Sequence, residues 1–143
     1  MALRKKPALG TSACLLGEAV RFDAGHKQDR WITGTLSQYF DLVSICPEVA
    51  IGLGIPRPPI QLKGAVHSIR VVGSRDPDLD VTDDLRRYGT KMAIQMDAIS
   101  GYIFKSKSPS CGLERVRLFP EDDGAPSRDR VGQYAAAFTA AQP

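Results

Sequence analysis

Short apolar runs bounded by glycine, proline or polar residues recur along the chain. Runs of this length and setting predict buried strands, the first of which leads into a loop. The predicted strands cover residues 7–17, 41–46, 66–72 and 101–105, and a further short apolar segment covers residues 116–119. Glycine and proline are frequent between residues 52 and 63, so this stretch is predicted to be a loop.

Apolar residues at helical spacing predict helices in other parts of the chain. The first covers residues 31–40, where Trp31 is expected to pack in the core or against a neighbouring helix. The second extends to about residue 97, with Thr82 or Asp83 as its expected N-cap. The third is rich in alanine and covers residues 128–141.

Strands that alternate with helices are typical of an α/β domain, in which helices cover the faces of a parallel sheet. The pattern therefore predicts a small doubly wound α/β domain. At 143 residues, the chain is long enough to bury a continuous core, and we expect one domain over residues 1–143.

The composition narrows the function classes. Hydrophobic residues make up 43% and charged residues 24%, as in ordinary soluble globular proteins, and no apolar stretch approaches the ~18 residues that a membrane span needs. Residues 1–6 are basic, but no apolar segment with a cleavage site follows, so the cytoplasm is the expected compartment. The net charge of +3 suits an anionic ligand or RNA; a solvated basic surface is commoner, and nucleic-acid binding is not favoured.

Three cysteines, Cys14, Cys46 and Cys111, carry the strongest chemical signal. An odd number cannot pair completely in disulfides, which are also disfavoured without a secretion signal. Each cysteine lies at or just after the end of a predicted strand, beside a turn with glycine or proline. Because parallel strands end at one edge of a sheet, we expect the three thiols to meet there.

Three thiolates at one point repel one another unless a cation holds them. Soft thiolate ligands favour zinc, copper(I) or an iron–sulfur cluster. Zinc prefers closely spaced cysteine pairs, which are absent, but His26 could complete a Cys3His site if it is not simply a hydrogen-bonded loop residue. A cubane cluster with three cysteine ligands keeps one iron open for a substrate. The residues alone leave both interpretations open.

Three sequence blocks surround these cysteines. They comprise residues 12–18 with 20–27, residues 46–49 with 52–60, and residues 105–112. Together they resemble the motifs of the thiouracil desulfidase (TudS-like) family, in the family's order and over most of the chain. Any one block is a weak signal, whereas the three together are highly specific. Ala24 departs from the pattern, since relatives often have glycine there.

The resemblance implies a small Rossmann-like three-layer α/β domain with a mostly parallel sheet. It also implies a [4Fe-4S] cluster held by Cys14, Cys46 and Cys111. The implied reaction is hydrolase-like: the sulfur of a thiolated pyrimidine, such as 2-thiouracil, binds the open iron, water replaces it at carbon, and hydrogen sulfide leaves without net redox change. Some relatives carry a second domain and act on thiouridine nucleosides or thiolated tRNA, which is the alternative substrate class.

Acidic and hydroxyl side chains near the cysteines are the candidate catalytic groups. Glu48 follows Cys46 by two residues and is the candidate base that takes a proton from water; a charge at a helix N-terminus is the alternative. Ser108 and Ser110 flank Pro109. We expect at least one of them, Ser108 first, to contact the substrate or relay protons, unless both only cap a turn.

Basic residues of the loops are candidates for substrate binding. Arg21 and His26 follow the first cysteine and are expected to shape the mouth of the pocket, with a solvated loop as the alternative. Arg57 and Lys105 could bind an anionic or carbonyl group. Two rival functions stay open: a non-catalytic iron–sulfur or zinc redox sensor, and a module that binds thiolated RNA without chemistry.

Overall fold

Strands and helices alternate in the computed structural model, which describes residues 5–122 and 124–142. The strands are β1 Ala8–Ser12, β2 Asp41–Ile45, β3 Ile60–Lys63, β4 Arg70–Gly73, β5 Gly101–Ile103, β6 Val116–Phe119 and β7 Ser127–Arg130. The helices are α1 Pro47–Ala50, α2 Thr82–Gln95 and α3 Gln133–Ala141, with shorter helical turns at Ala13–Leu16, Trp31–Thr35 and Leu36–Gln38. The predicted α/β class is confirmed.

The first sheet is parallel and has the strand order β2, β1, β5. Ser12 at the end of β1 lies beside Ile45 at the end of β2. The chain therefore leaves both strands at the same edge of the sheet. Cys14 and Cys46 follow these strand ends, so two cysteines far apart in sequence reach one edge.

The second sheet is mixed and has the strand order β4, β3, β6, β7. Its central strands β3 and β6 run parallel, whereas β4 and β7 pair with them antiparallel. Leu62, Val116 and Leu118 of the central strands are buried in the hydrophobic core. Gln61 and Arg117 occupy alternate positions, whose side chains point to the opposite face of the sheet.

Helices α2 and α3 pack closely against each other beside this core. Tyr134 and Phe138 of α3 are buried. Gly89 of α2 permits the close approach, because a Cβ at this position would lie 2.7 Å from the Tyr134 carbonyl oxygen and 2.9 Å from the Ala137 Cβ. Within the described part of the chain, no helix has the length and apolar character to cross a membrane.

The second sheet differs most from the predicted elements. Strand β3 lies inside the stretch that was predicted to be a loop, residues 52–63. The strand was not predicted because its four residues are too few to outweigh the prolines before them. Strand β7 lies where the helix at 128–141 was expected to begin, and its charged Ser-Arg-Asp-Arg sequence suits the edge position it occupies. The strands form two sheets, of which only the first is parallel throughout; the Rossmann-like three-layer arrangement stays a prediction.

The helix predicted at residues 31–40 is replaced by the two short turns Trp31–Thr35 and Leu36–Gln38. Asp29 fixes their start, since its Oδ1 accepts hydrogen bonds from the backbone N–H groups of Trp31 at 3.0 Å and Ile32 at 3.1 Å. Ile32 is thereby buried, whereas Trp31 is 61% exposed. The prediction that Trp31 packs in the core or against a helix is wrong.

The start of α2 also differs from the prediction. Val81 precedes the helix, and neither Thr82 nor Asp83 is its N-cap. The Thr82 hydroxyl instead accepts a hydrogen bond from the backbone N–H of Val71 in β4 at 2.7 Å, while Asp80 accepts one from the Thr82 N–H at 3.0 Å. Thr82 therefore ties the helix to the second sheet.

Candidate functional site

A cavity of about 500 Å³ opens at the edge of the first sheet, beyond the ends of β1 and β2. This size is typical of a small-molecule site. Its lining includes Cys14, Cys46, Cys111, Glu48, Arg57 and Ser108. The structure thus brings to one cavity the three cysteines, the candidate base and the first-choice serine.

Each cysteine is placed by a different local structure. Cys14 lies in the 3-10 turn that follows β1, and its carbonyl oxygen accepts a hydrogen bond from the Lys27 N–H at 2.9 Å. Cys46 directly precedes α1, and its carbonyl oxygen accepts one from the Ala50 N–H at 3.0 Å. Cys111 lies in the loop after β5 and is buried. Hydrogen bonds therefore fix the backbone of Cys14 and Cys46, and with it the positions from which their thiols extend.

Burial governs the protonation of the thiols. It raises the pKa of Cys14, although the positive charges of Lys105 and Arg21 oppose the shift. Burial also raises the pKa of Cys46 and, strongly, that of Cys111. Free thiols in this cavity are therefore neutral near pH 7, and they become thiolates only when a bound cation compensates for their burial.

Two hydrogen-bond donors hold the Glu48 carboxylate. Its Oε1 accepts from Arg57 Nε at 3.0 Å, and its Oε2 accepts from the Ser110 hydroxyl at 2.9 Å. The Arg57 side chain is only 4% exposed and also donates through Nη1 to the Gly54 carbonyl oxygen at 3.2 Å. Glu48 stands in the first turn of α1, and these contacts fix the carboxylate beside the cysteines.

The two candidate serines have different positions. The Ser108 oxygen accepts hydrogen bonds from the N–H groups of Ser110 at 3.1 Å and Cys111 at 3.0 Å, and its side chain lines the cavity. Ser108 thus stabilises the turn and still has its own hydroxyl proton to donate. Ser110 is fully buried behind the cavity wall and contacts Glu48.

Helix α3 holds the loop of the third cysteine from behind. The Ala135 N–H donates to the Ser110 carbonyl oxygen at 3.0 Å, and the Gly132 N–H donates to the Gly112 carbonyl oxygen at 2.7 Å. A Cβ at Gly132 would lie 2.6 Å from the Ser110 carbonyl carbon and oxygen. Only glycine allows this contact, so the start of α3 fixes the position of Ser110 and Cys111.

Arg21 and His26 are separated by the structure. Arg21 lines the cavity near Cys14, whereas His26 is exposed outside it and its Nδ1 accepts a hydrogen bond from the Gln28 N–H at 3.1 Å. Across residues 5–122 and 124–142, no group of three or more His, Cys, Asp or Glu side chains is arranged to hold a metal ion. The Cys3His zinc site with His26 therefore has no support in the described residues.

Two side chains, those of Arg57 and Ser12, contribute to the site in ways that the sequence did not predict. Arg57 was expected to bind an anionic or carbonyl group, and the fold shows that its anionic partner is the Glu48 carboxylate of the protein itself. Ser12 is buried and accepts a hydrogen bond from the Lys105 N–H at 2.8 Å, and its hydroxyl opposes the rise that burial causes in the pKa of Cys111. Ser12 is the first residue of the first sequence block, but only the fold shows that it lies near the third cysteine.

The fold and this cavity define an α/β protein with three thiols and a held carboxylate at one edge of a parallel sheet. The family model for 2-thiouracil desulfurase matches residues 9–143, and the chain belongs to this family. A solved structure described as the [4Fe-4S]-dependent thiouracil desulfidase TudS is similar, with 31% sequence identity and a TM-score of 0.71. The alignment covers 94% of this chain and 86% of that one. None of the curated proteins compared with the chain matches it.

Proposed function

We propose that this protein is a [4Fe-4S]-dependent desulfidase that converts a thiolated pyrimidine, such as 2-thiouracil, to the corresponding pyrimidine and hydrogen sulfide. The observation that carries the proposal is the meeting of Cys14, Cys46, Cys111 and the held Glu48 carboxylate in one cavity. Membership of the 2-thiouracil desulfurase family and the similarity to TudS support the same activity.

The donor set fits such a cluster. One metal ion needs all its sulfur ligands about 2.3 Å from a single centre, and no described group of side chains is arranged in this way. The cysteines of a cubane cluster each bind a different iron, so their sulfurs need only face one cavity, as Cys14, Cys46 and Cys111 do. We assign these three residues as its ligands. When bound, the cluster supplies an open iron that acts as a Lewis acid towards sulfur.

The proposed reaction balances without an oxidant or a reductant. Water adds its oxygen to the carbon that carried sulfur, the carbon–sulfur bond breaks, and the two protons of the water leave with the sulfur as hydrogen sulfide. The carbon keeps its oxidation state because a C=S group becomes a C=O group. The chain must therefore bind the ring, hold a water and move protons.

Glu48 is the group we assign to move the proton. Each carboxylate oxygen has two acceptor positions, so the bonds from Arg57 and Ser110 leave one on each oxygen for a water molecule. The paired donors keep the carboxylate oriented towards the cavity, which a general base requires. Ser108 lines the same cavity, and its hydroxyl proton can reach a ring oxygen or nitrogen of the substrate.

Anaerobic reconstitution tests the assignment of ligands and base. We expect cluster-loaded protein to contain about four irons and to release sulfide from 2-thiouracil. Cys46→Ser should lose iron and activity together, whereas Glu48→Gln should keep the iron and lose at least about 100-fold in kcat.

Glu121→Gln is the matched control, because Glu121 is exposed and does not line this cavity. Full turnover by Glu48→Gln would overturn the assignment of the base. A colourless protein with one zinc per chain would overturn the cluster, and an iron-loaded protein that releases no sulfide from any thiolated pyrimidine would favour a redox sensor.

A further inference from the structure

An aromatic side chain lines the cavity of the three cysteines, called the cysteine cavity below. Among the described residues of this lining, Phe22 alone has an aromatic ring. A pyrimidine has two flat faces and a polar edge. Ser108 and the Glu48 carboxylate offer polar groups for the edge, whereas a flat face is best matched by another aromatic ring. Phe22 is therefore the group in this cavity that suits the face of a pyrimidine.

The ring of Phe22 is accessible to a ligand. Its exposed fraction is 36%, which is high for a large apolar side chain. Phe22 is not among the described residues that form the hydrophobic core or pack against it. Burial therefore does not account for an aromatic ring at this position. Small-molecule sites are commonly lined by such apolar and aromatic side chains, which contact the ligand directly.

Backbone hydrogen bonds fix the loop that carries this ring. The Arg21 N–H donates to the Gly25 carbonyl oxygen at 3.1 Å and closes the loop on itself. The Phe22 carbonyl oxygen accepts a hydrogen bond from the Arg57 N–H at 2.9 Å. Because Arg57 Nε also holds the Glu48 carboxylate, one residue connects the loop of the ring with the proposed base.

Arg21 covers one face of the Phe22 ring. The central carbon of its guanidinium lies 5.7 Å from the ring centroid, which is within the range of a cation–π contact. Arg21 lines the cysteine cavity as well, so this contact forms in the cavity wall. A second ring can then stack only on the other face of Phe22, which gives a ligand ring one defined position.

We propose that Phe22 stacks on the pyrimidine ring of the substrate and makes the site selective for flat, aromatic thiocarbonyl compounds. This inference rests on the proposed function and deepens it, because it names the residue that recognises the ring. Saturation of the C5–C6 bond of 2-thiouracil keeps the thiocarbonyl and both N–H groups but removes the flat aromatic face. 5,6-Dihydro-2-thiouracil is therefore the compound that Phe22 should disfavour.

Steady-state kinetics of cluster-loaded protein with these two compounds test the selectivity. Stacking of a base on an aromatic side chain changes binding about tenfold. In the parent protein we expect a KM about tenfold higher for 5,6-dihydro-2-thiouracil than for 2-thiouracil. Phe22→Leu should raise the KM for 2-thiouracil about tenfold, leave kcat within about twofold, and reduce the difference in KM between the compounds to about twofold. Phe22→Tyr, which keeps the ring, should retain the selectivity of the parent.

Tyr39→Leu is the matched control, because Tyr39 is exposed and does not line the cysteine cavity. It should leave the KM for both compounds unchanged. If Phe22 served only to support the loop, Phe22→Leu would raise the KM for both compounds by the same factor, and this result would overturn the inference. A KM for 2-thiouracil within about twofold of the parent in Phe22→Leu would overturn it as well.

Binding of uracil separates this inference from the proposed function, because it needs no turnover. Isothermal titration calorimetry of cluster-loaded protein should show that uracil binds about tenfold more tightly than 5,6-dihydrouracil, and Phe22→Leu should remove most of this difference. This pattern without sulfide release from 2-thiouracil would overturn the desulfidase and keep the ring site. Sulfide release from 2-thiouracil, with uracil and 5,6-dihydrouracil bound equally or not at all, would overturn the stacking and keep the desulfidase.

Discussion

At the scale of residues, the site depends on groups that touch Glu48 as much as on Glu48 itself. The carboxylate stands between a buried guanidinium and a buried hydroxyl, with Arg57 on one oxygen and Ser110 on the other. Ser110 also belongs to the turn of Cys111, since both of their N–H groups bond Ser108. The proposed base and the third proposed ligand therefore share one small hydrogen-bonded unit.

Ser110→Ala tests this unit. The variant removes one of the two donors that orient Glu48, and we expect kcat to fall about tenfold, which is ~1.4 kcal/mol in activation free energy. KM and iron content should stay unchanged, because Ser110 does not line the cavity. Steady-state kinetics and an iron assay measure these quantities, with the exposed Ser100→Ala as control. An unchanged kcat would show that Arg57 alone suffices to position Glu48.

The two loop residues predicted to bind substrate should behave differently. His26→Ala should leave kcat and KM within about twofold, since His26 is exposed outside the cavity. Arg21→Ala should raise KM about fivefold or more, because it removes a cation from the cavity wall. Kinetics with 2-thiouracil on iron-matched samples measure both. A large effect of His26→Ala would mean that this loop closes over the substrate.

At the scale of elements, the first sheet positions Cys14 and Cys46, whereas α3 fixes the position of Cys111. The parallel register of β1 and β2 suffices for the first two. The third needs Gly132, where the start of α3 meets the Ser110 backbone. A helix distant in sequence from the cysteines is thus part of the site's support.

Gly132→Ala should expose this dependence. Its φ of −60° is open to any residue, so the added methyl acts through its clash with the Ser110 carbonyl rather than through backbone strain. We expect a loss of about 1–3 kcal/mol in the free energy of unfolding, together with lower iron content. Urea denaturation measures the first quantity. Gly34→Ala is the control, because no heavy atom lies within 4 Å of a Cβ there, and equal losses in both variants would contradict the account.

The contact between β4 and α2 predicts a pH dependence of stability. Burial raises the pKa of Asp80, but hydrogen bonds from Thr82 and Arg70 outweigh it, so the pKa lies below the ordinary 3.8. A lowered pKa stabilises the fold above the unfolded value, and this contribution is lost as the pH falls through the folded value. Because Asp80 is about one-third exposed, we expect less than about 1 kcal/mol.

Asp80→Asn should therefore unfold more easily than the parent at pH 7 and converge with it once the pH falls below the lowered pKa of Asp80, in the metal-free protein. Thermal unfolding across this range measures the difference. Asp78→Asn serves as control, since the exposed Asp78 side chain has no hydrogen bond or ion pair among the described residues. A difference between Asp80→Asn and the parent that persists at low pH would contradict the assigned cause.

At the scale of the whole molecule, the elements that could be predicted are those marked by an unbroken run of apolar residues. The apolar runs before Cys14 and Cys46 and the strand at 101–105 located the first sheet, and the cysteine spacing located its functional edge. In the second sheet, the strand predicted at 66–72 overlaps β4 and the apolar segment at 116–119 matches β6. Strands β3 and β7 were not predictable, because they are short and either preceded by proline or fully polar.

The site, too, has one part that could be predicted from the sequence and another that could not. Glu48 could be selected because it lies two residues after a cysteine, whereas its bonds to Arg57 and Ser110 depend on how separate loops meet. The prediction for Trp31 was wrong for a related reason. Asp29 fixes where this helical turn starts, and the side chain that is buried as a result is Ile32, not Trp31. Side-chain direction at a turn follows from local hydrogen bonds, which residue spacing alone does not reveal.

The central claim is that this chain replaces sulfur by the oxygen of water without net redox change. The most direct test incubates cluster-loaded protein with 2-thiouracil in ¹⁸O-labelled water, anaerobically and without added reductant, and follows the products by mass spectrometry and sulfide assay. The account predicts one sulfide for each uracil formed and one ¹⁸O atom in each uracil. Uracil without the label, or turnover that requires an added oxidant or reductant, would contradict it.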